Sequence, residues 1–416
     1  MGEPVKRRLL GITGIRSDYD LMSGLYRRLA IDPSLDFKLL VGGAHLSKTY
    51  GYSLDLIRAD AIPVLATIES LIDSDSTSSR LKSASIMLQS AVDVVAQWRP
   101  DLILYAGDRE EVWIGALLGN YLEIPTMHFY GGDHTDSWHM DNPVRHATSK
   151  LSSFHVVPTE EARRRLLTLG ESDSRIRVLG SLALDNFRID EPVVQIPASE
   201  VPKLPPGMGD YALVVFHPDP SEYAIAADIC RNILSELKHA NLGACVGYPN
   251  TDAANREIIA VFSEFAHEPR FFFYRTLERN RFISLYRGAK FIIGNSSSGI
   301  LEAASIPIPA VNVGIRQRGR MAAENVLFVD SDRESVRAAI ARALDPKFRA
   351  SIANMVNPYG DGRSCARAYE LIVNTDFSKL LHKTEDPLQG VPLPRYAGRH
   401  AKTSMAKYLF RWLPRR

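Results

Sequence analysis

The chain has 416 residues, with 50 Lys and Arg against 48 Asp and Glu, and 45% of it is hydrophobic. That composition excludes a collagen, a disordered tail and a disulfide scaffold, and the length exceeds the roughly 250–300 residues that one core serves, so two domains are expected. The formal net charge of +2 hides an asymmetry, because residues 395–416 carry seven Lys or Arg and no acid while the rest has five more acids than bases; nothing in the body's charge argues for a nucleic-acid partner.

In chain order, 8–13 reads as a strand, 20–31 as a helix and 37–43 as a second strand. After a Ser- and Asp-rich segment at 69–79, apolar residues at helical spacing (Ile86, Leu88, Val92, Val95) predict a long helix over 79–98. A strand at 102–107, a helix at 111–121 and strands at 126–130 and 153–157 follow. Five prolines between 191 and 209 mark a linker, since neither helices nor central strands tolerate that density. The alternation then restarts: strands at 211–218, 243–249, 271–274, 291–299 and 309–314, helices at 222–239, 253–265 and 299–305. Strands alternating with helices imply βαβ units and parallel sheets covered on both faces. The expected class is therefore α/β with two Rossmann-like domains, 1–190 and 211–375, joined by the 191–210 linker and followed by an extension at 376–416. In such folds a ligand lies beyond the carboxyl ends of the strands.

Cys230, Cys245 and Cys365 are odd in number and widely spaced, which fits reduced thiols in a cytoplasmic protein and no zinc site. The first apolar run is broken by glycines, so it reads as a strand and not as a signal segment. No stretch of about 18 apolar residues runs without a charge, so no transmembrane helix is expected.

Polar motifs sit at the predicted strand ends. Gly14–Tyr19 is a turn feeding a helix, where Arg16 could fork a phosphate and Asp18 could face the ligand or simply cap the helix. Tyr105–Glu110 places Asp108 where a base or a sugar-hydroxyl partner would stand, unless it caps a helix beside Arg109. The segment Gly131–His146 reads as one loop holding acids, three histidines and Arg145 behind a glycine pair. Carboxylates sharing a pocket can divide acid and base work, and the spacing fits no common metal-ligand set. His217 closes a strand and could contact a phosphate or a leaving group, and Tyr248–Asp252 is polar in the same way. Gly294–Glu302 offers three hydroxyls between a strand and a helix, a phosphate cradle, with Glu302 able to bind a ribose diol or to cap. No Walker lysine follows any of these loops and GxGxxG is absent, which disfavours a P-loop ATPase and a dinucleotide oxidoreductase and leaves nucleotide sugars.

The segments TGIRSDY (13–19), GGAHLS (42–47), GDRxE (107–111), the Gly131–Gly132 pair with RHATSK (145–150), FHP (216–218), YPNTD (248–252), GNSSSGILEA (294–303) and NVGIRQRGR (312–320) occur in order over about residues 8–330. Together they resemble the hydrolysing UDP-N-acetylglucosamine 2-epimerases of the sialic-acid-pathway type. The resemblance implies a GT-B-like architecture with an interdomain cleft, a nucleotide held mostly by the second domain, and a C-terminal helix near 366–373 that crosses back. It also implies elimination and rehydration at C1–C2 of a UDP-sugar, with no cofactor and no metal.

By position, Asp108, Asp133 and Asp141 match the family's carboxylates, and His217 and His146 complete the expected catalytic set. Arg16, Asp18, Asn250, Ser296, Ser297, Ser298, Gly299 and Glu302 form the expected nucleotide set, and His45, Arg109, Glu110, His134, His139, Asn142 and Arg145 the expected sugar pocket. A homodimer or homotetramer is expected. Two departures stand out: the family has Glu after the glycine pair and an Asp-Glu pair before Arg-His, whereas this chain has Asp133 and Asp141-Asn142. Asn142 cannot act as a base, so a changed sugar or reaction is expected, with His134 or His139 able to replace the lost acid. A GT-B glycosyltransferase and a catalytically silent nucleotide-sugar binder are the other classes this architecture serves. In the tail, Met405, Tyr408, Leu409 and Trp412 can share a helical face with basic residues on others, as in helices that lie on anionic membranes; a disordered or subunit-docking tail fits equally.

Overall fold

The computed structural model describes residues 6–74, 76–136, 140–187, 204–249, 254–275 and 277–386. Residues through Lys383 form one compact unit; of the second unit, which begins at Thr384, three residues are described and they form neither helix nor strand.

In the first unit the strands β1 (Arg7–Thr13), β2 (Leu35–Gly42), β3 (Val64–Ile68), β4 (Leu102–Ala106), β5 (Thr126–Phe129), β6 (Phe154–Val157) and β7 (Ile176–Val178) make a seven-stranded sheet in the order β3-β2-β1-β4-β5-β6-β7. A second sheet of six strands follows: β8 (Tyr211–Val215), β9 (Gly243–Gly247), β10 (Phe271–Tyr274), β11 (Phe291–Gly294), β12 (Ala310–Val313) and β13 (Val326–Val329), in the order β10-β9-β8-β11-β12-β13. Every pairing in both sheets is parallel. Strand order reverses between β1 and β4 and again between β8 and β11, the two switch points at which such sheets leave a crevice.

Alternation along β1 explains why both faces are covered. Leu10 and Ile12 pack on one side with Met87, Ala91 and Val95 of the helix Thr77–Trp98. Leu9 faces the other side with Met22, Leu25 and Leu29 of the helix Arg16–Ala30. The helix Ser364–Asn374 returns to this second face with Cys365, Ala368 and Ile372, and Arg7 donates to the Ile372 carbonyl at 2.7 Å. Cys230, Cys245 and Cys365 are all buried and free. Among the described residues no helix is long and apolar enough to cross a membrane.

Several elements differ from the sequence expectation. The segment 131–146, expected as a single loop, becomes helical at Asp141–Leu151, with Pro143 in the first turn, where a missing N–H costs nothing. The first helix starts at Arg16 and not near 20, because the Asp18 carboxylate accepts from the Gly14 and Ile15 N–H groups at 3.0 and 3.3 Å. The helices Arg279–Gly288 and Arg333–Leu344 and the strand β13 were not expected. Residues 188–203, which take in 191–203 of the 191–210 linker, and 387–416, including the basic tail, lie outside the described residues.

Candidate active site

A cleft of about 570 Å³ lies beyond the carboxyl ends of both sheets, within the range of about 300–1,000 Å³ usual for ligand sites. The turns after β4, β5, β8, β9, β10, β11 and β12 all reach it.

On the wall built from the first sheet, Arg145 is only 2% exposed and reaches three groups. Its Nη2 pairs with the Asp108 carboxylate, while Nη1 donates to the Asp133 carbonyl at 3.1 Å and to Asn142 Oδ1 at 3.2 Å. Burial opposes its charge, but the carboxylates of Asp108, Asp133 and Asp141 more than offset this and raise its pKa. Asp108, Asp133 and Asp141 all line the cleft, so three acids converge on one permanently charged guanidinium. Asp133 is held from the opposite wall as well, by Arg320 at 2.9 Å. Gly132 makes this possible: its φ is +72°, and a Cβ there would stand 2.2 Å from the Ala162 carbonyl oxygen. Beneath Asp108, His128 of β5 donates from Nε2 to the Gly107 carbonyl at 2.8 Å, and burial pushes its pKa down to about 3, so the ring is neutral.

The facing wall is organised by Asn295, which is fully buried. Its side-chain amide accepts from the His217 N–H at 2.8 Å and donates to the His217 carbonyl at 2.7 Å, fixing the backbone of the histidine that lines the cleft. The Asn295 carbonyl accepts from Arg316 Nη1 at 3.0 Å and Gln317 Nε2 at 3.1 Å, which brings Arg316 beside Ser296 and Ser297 at the cleft. The preceding Gly294 has φ +139°, and a Cβ there would meet the Val215 carbonyl oxygen at 2.0 Å.

The anion-binding capacity here differs from the expected helix cradle, because the helix Ser298–Leu301 is a single turn and contributes little dipole. Positive charge comes instead from Arg316, Arg320, Arg16 and Arg109, all lining the cleft. Arg16 also pairs with Asp20 at 3.1 Å, and Arg279 from the second half reaches the same Asp20 at 3.1 Å. At the far end, Tyr248, Pro249, Ile259 and Tyr274 make an apolar slot, with the Arg275 guanidinium 4.2 Å from the Tyr248 ring centre, a fitting seat for a flat heterocycle.

Against known proteins, the model of the family described as UDP-N-acetylglucosamine 2-epimerase matches residues 27–373. The chain belongs to the UDP-N-acetylglucosamine 2-epimerase family. It is 31% identical to the UDP-N,N′-diacetylbacillosamine 2-epimerase (hydrolyzing) of Legionella pneumophila, over 91% of this chain and 98% of that one. It is 27% identical to a UDP-N-acetylglucosamine 2-epimerase of Neisseria meningitidis serogroup B, over 88% and 95%. The crystal structure of UDP-GlcNAc 2-epimerase from Neisseria meningitidis bound to UDP-GlcNAc superposes with a TM-score of 0.72 at 18% identity, covering 88% of this chain and all of that one, so the two-sheet, GT-B-like fold is shared.

Within this 2-epimerase fold the residues expected in the site fall into two groups. Asp108, Asp133, Asp141, His217, Arg16, Asp18, Ser296, Ser297, Arg109 and Arg145 line the cleft. The others described do not, and their contacts give the reason. His45 is fully buried between Thr13 and Ser53, 2.8 Å from each hydroxyl; Thr13 in turn donates to Asp18, so this trio braces the first turn. Glu110 is held by Arg80 at 2.5 and 2.8 Å. His146 lies in a separate surface hollow with Arg164 and Arg165, its ring stacked on His134 at 6.3 Å. Ser298 donates to Glu302 inside the fold, and burial pushes the Glu302 carboxyl up to about 7. Gly299 is buried against Ala310, and Asn142 turns to the backbone of Thr135. Asn250 and His139 lie outside the described residues. Among the described residues no group of three or more His, Cys, Asp or Glu could hold a metal ion.

Sequence reasoning passed over Arg316, Arg320, Asn295 and Glu111. RQRGR places three arginines just beyond a strand end, a phosphate signal in its own right, and Arg316 and Arg320 are the two that line the cleft. Glu111 is wedged against Gly14 and Gly43, and burial, with Glu110 adding to it, raises its pKa to about 7.

Proposed function

We propose that this protein is a hydrolysing nucleotide-sugar 2-epimerase that converts a UDP-linked 2-acetamido sugar to the free 2-epimeric sugar and UDP. The observation that carries the reading is the facing arrangement of Asp108, Asp133, Asp141 and Arg145 on one wall against His217, Ser296, Ser297 and Arg316 on the other. Asp108, Asp133 and Asp141 are the candidate acids and bases, with His217 beside the leaving diphosphate.

A carboxylate takes the C2 proton, the C2–H electron pair becomes the C1=C2 bond, and the C1–O bond breaks with its electrons on the diphosphate. Arg316 and the serine hydroxyls are placed to meet that growing charge, the electrostatic assistance such an elimination needs. Water then adds hydroxyl to C1 and a proton to the opposite face of C2. The higher identity to the diacetylbacillosamine enzyme favours a 2,4-diacetamido sugar over N-acetylglucosamine. The reading places residues 1–190 on the sugar side, 211–375 on the nucleotide side and the enzyme in the cytoplasm as a homodimer or homotetramer, serving surface-polysaccharide or nonulosonic-acid synthesis. Incubation with each UDP-sugar in deuterium oxide, followed by mass spectrometry, tests it. Free sugar carrying one deuterium at C2, plus UDP, is expected. Unlabelled product rules out the elimination, turnover only with an added acceptor points to a transferase, and binding without any turnover points to a silent binder.

The basic tail at 395–416 fits a second, peripheral contact with an anionic membrane, its charge supplying attraction and its apolar residues insertion. Flotation with phosphatidylserine liposomes should recover the full chain and lose the form ending at residue 394; equal recovery removes the idea.

A further inference from the structure

Asn142 stands where the family resemblance expects an acid, yet its side chain does not line the cleft. Its Nδ2 donates to the Thr135 carbonyl at 2.6 Å and its Oδ1 accepts from the Thr135 N–H at 3.2 Å, closing a two-point pairing with both backbone polar groups of one residue, seven positions back in the chain. The same Oδ1 accepts from Arg145 at 3.2 Å, and Arg145 continues to the Asp133 carbonyl and the Asp108 carboxylate. One amide thereby registers the turn that carries Asp133 against the guanidinium that joins Asp133 to Asp108. One residue beyond Thr135, the Asp136 N–H donates to the Arg318 carbonyl at 2.8 Å, so the registered turn is also where the first half meets the second.

A carboxylate cannot reproduce this pairing. The Thr135 carbonyl needs a donor, and an ionised oxygen at 2.6 Å from it would repel. The opposite wall shows the same device independently: Asn295 donates to and accepts from the backbone of His217 at 2.7 and 2.8 Å. Each wall of the cleft thus has an asparagine whose amide clasps the backbone of a segment carrying a proposed functional side chain.

We infer that Asn142 is a positioning residue, whose amide sets the placement of Asp133 through Thr135 and Arg145, and that the acid–base work falls on Asp108, Asp133 and Asp141 without a fourth acid at this position. The inference rests on the epimerase reading for its kinetic consequence, but the clasp itself can be read without turnover.

The experiment compares the full-length chain with Asn142→Ala, Asn142→Asp and Asn142→Glu. A displacement near 1 Å costs on the order of 100-fold in rate, so kcat should fall about 10- to 100-fold in Ala and at least as far in Asp, with KM for the UDP-sugar and the affinity for UDP within about twofold of the parent. The deficit of the Asp variant relative to the parent should shrink as pH falls, because a protonated carboxyl can again donate to Thr135. Recovery or gain of activity at neutral pH in Asp or Glu overturns the inference, since it would mean the position wants an acid. Unchanged kcat in all three variants overturns it too, as does loss of UDP binding in step with activity, which would mark a role in the fold alone. Amide hydrogen exchange across residues 131–136 separates the clasp from the reaction: faster exchange in Ala and Asp is expected, and unchanged exchange overturns the clasp whatever the parent enzyme catalyses. A parent that binds UDP, shows the exchange response and turns over no UDP-sugar would defeat the epimerase reading and leave the clasp standing.

Discussion

Asp108 combines two demands that usually conflict, exposure to a ligand and a fixed orientation. Its carboxylate lines the cleft while one oxygen is committed to Arg145, which is itself sealed at 2% exposure. In the proposed reaction, a carboxylate oriented that way would lose little entropy on acting as the base. Asp108→Asn preserves the shape and removes the basic oxygen. Turnover should fall by about 10²–10⁴-fold, the usual worth of a general base, while UDP affinity stays within about twofold, since the proposed diphosphate contacts of His217, Ser296, Ser297 and Arg316 lie on the other wall. Steady-state kinetics beside a UDP titration checks this, and normal turnover in the variant would take Asp108 out of the reaction.

The turn that presents Asp108 depends on its neighbour strand. His128 lies on β5, and by donating to the Gly107 carbonyl at 2.8 Å it fixes the end of β4 from below. Burial pushes its pKa down from 6.5 to about 3. A histidine depressed in the folded state contributes stability that is fully present above the unfolded value near 6.5 and is lost as pH falls toward 3. Urea unfolding at pH 7 and pH 4 should therefore show a smaller loss in His128→Asn than in the parent chain; equal losses would remove His128 from the acid response.

The alternation of apolar runs and the polar motifs at their ends were legible because a parallel strand buried on both faces must be continuously apolar and must end in its chemistry. Helix Asp141–Leu151 was not legible, because its first turn holds Asp, Asn and Pro, residues that signal a loop as readily as a helix start. His45 and Glu110 looked like ligand groups for the same reason that they serve the fold: polar side chains near strand ends satisfy each other as readily as they satisfy a substrate, and only the partners Thr13, Ser53 and Arg80 decide between the two. Asn295 sits inside the Gly294–Glu302 motif without drawing notice there, because a side chain that acts by holding a backbone offers no reactive group of its own.

Across the whole molecule, charge is arranged to bridge the two halves of the cleft. Arg279 reaches Asp20 at 3.1 Å and Asp60 at 3.5 Å near one end, and Arg320 meets Asp133 at 2.9 Å near the other. Farther out, burial opposes the charge of Glu171, but His155, Lys383 and Lys150 around it more than offset this and hold its carboxyl at about 2. Lys383 reaches it at 2.5 Å, and Arg175 takes the carbonyl of His382 at 2.7 Å. With the helix Ser364–Asn374 lying on the first sheet, the last stretch of the compact unit belongs physically to the half that begins the chain.

That return has a consequence for how the protein is made. The hydrophobic face of the first sheet is finished by Ala368, Ile372 and Phe377, residues synthesised after the whole second sheet, so the leading half emerges from the ribosome with an apolar surface that nothing yet covers. A fragment ending at residue 187 should consequently aggregate or bind a hydrophobic dye when expressed alone, and co-expression with a segment spanning 360–386 should restore its solubility. A monomeric, cooperatively folding fragment would show that the closing segment is dispensable. Otherwise birth order and folding order run in opposite directions here: the first half translated is the last to be sealed, and a premature stop before the closing helix leaves the apolar face of the first sheet uncovered while the core of the second sheet, which uses no residue of that helix, is complete.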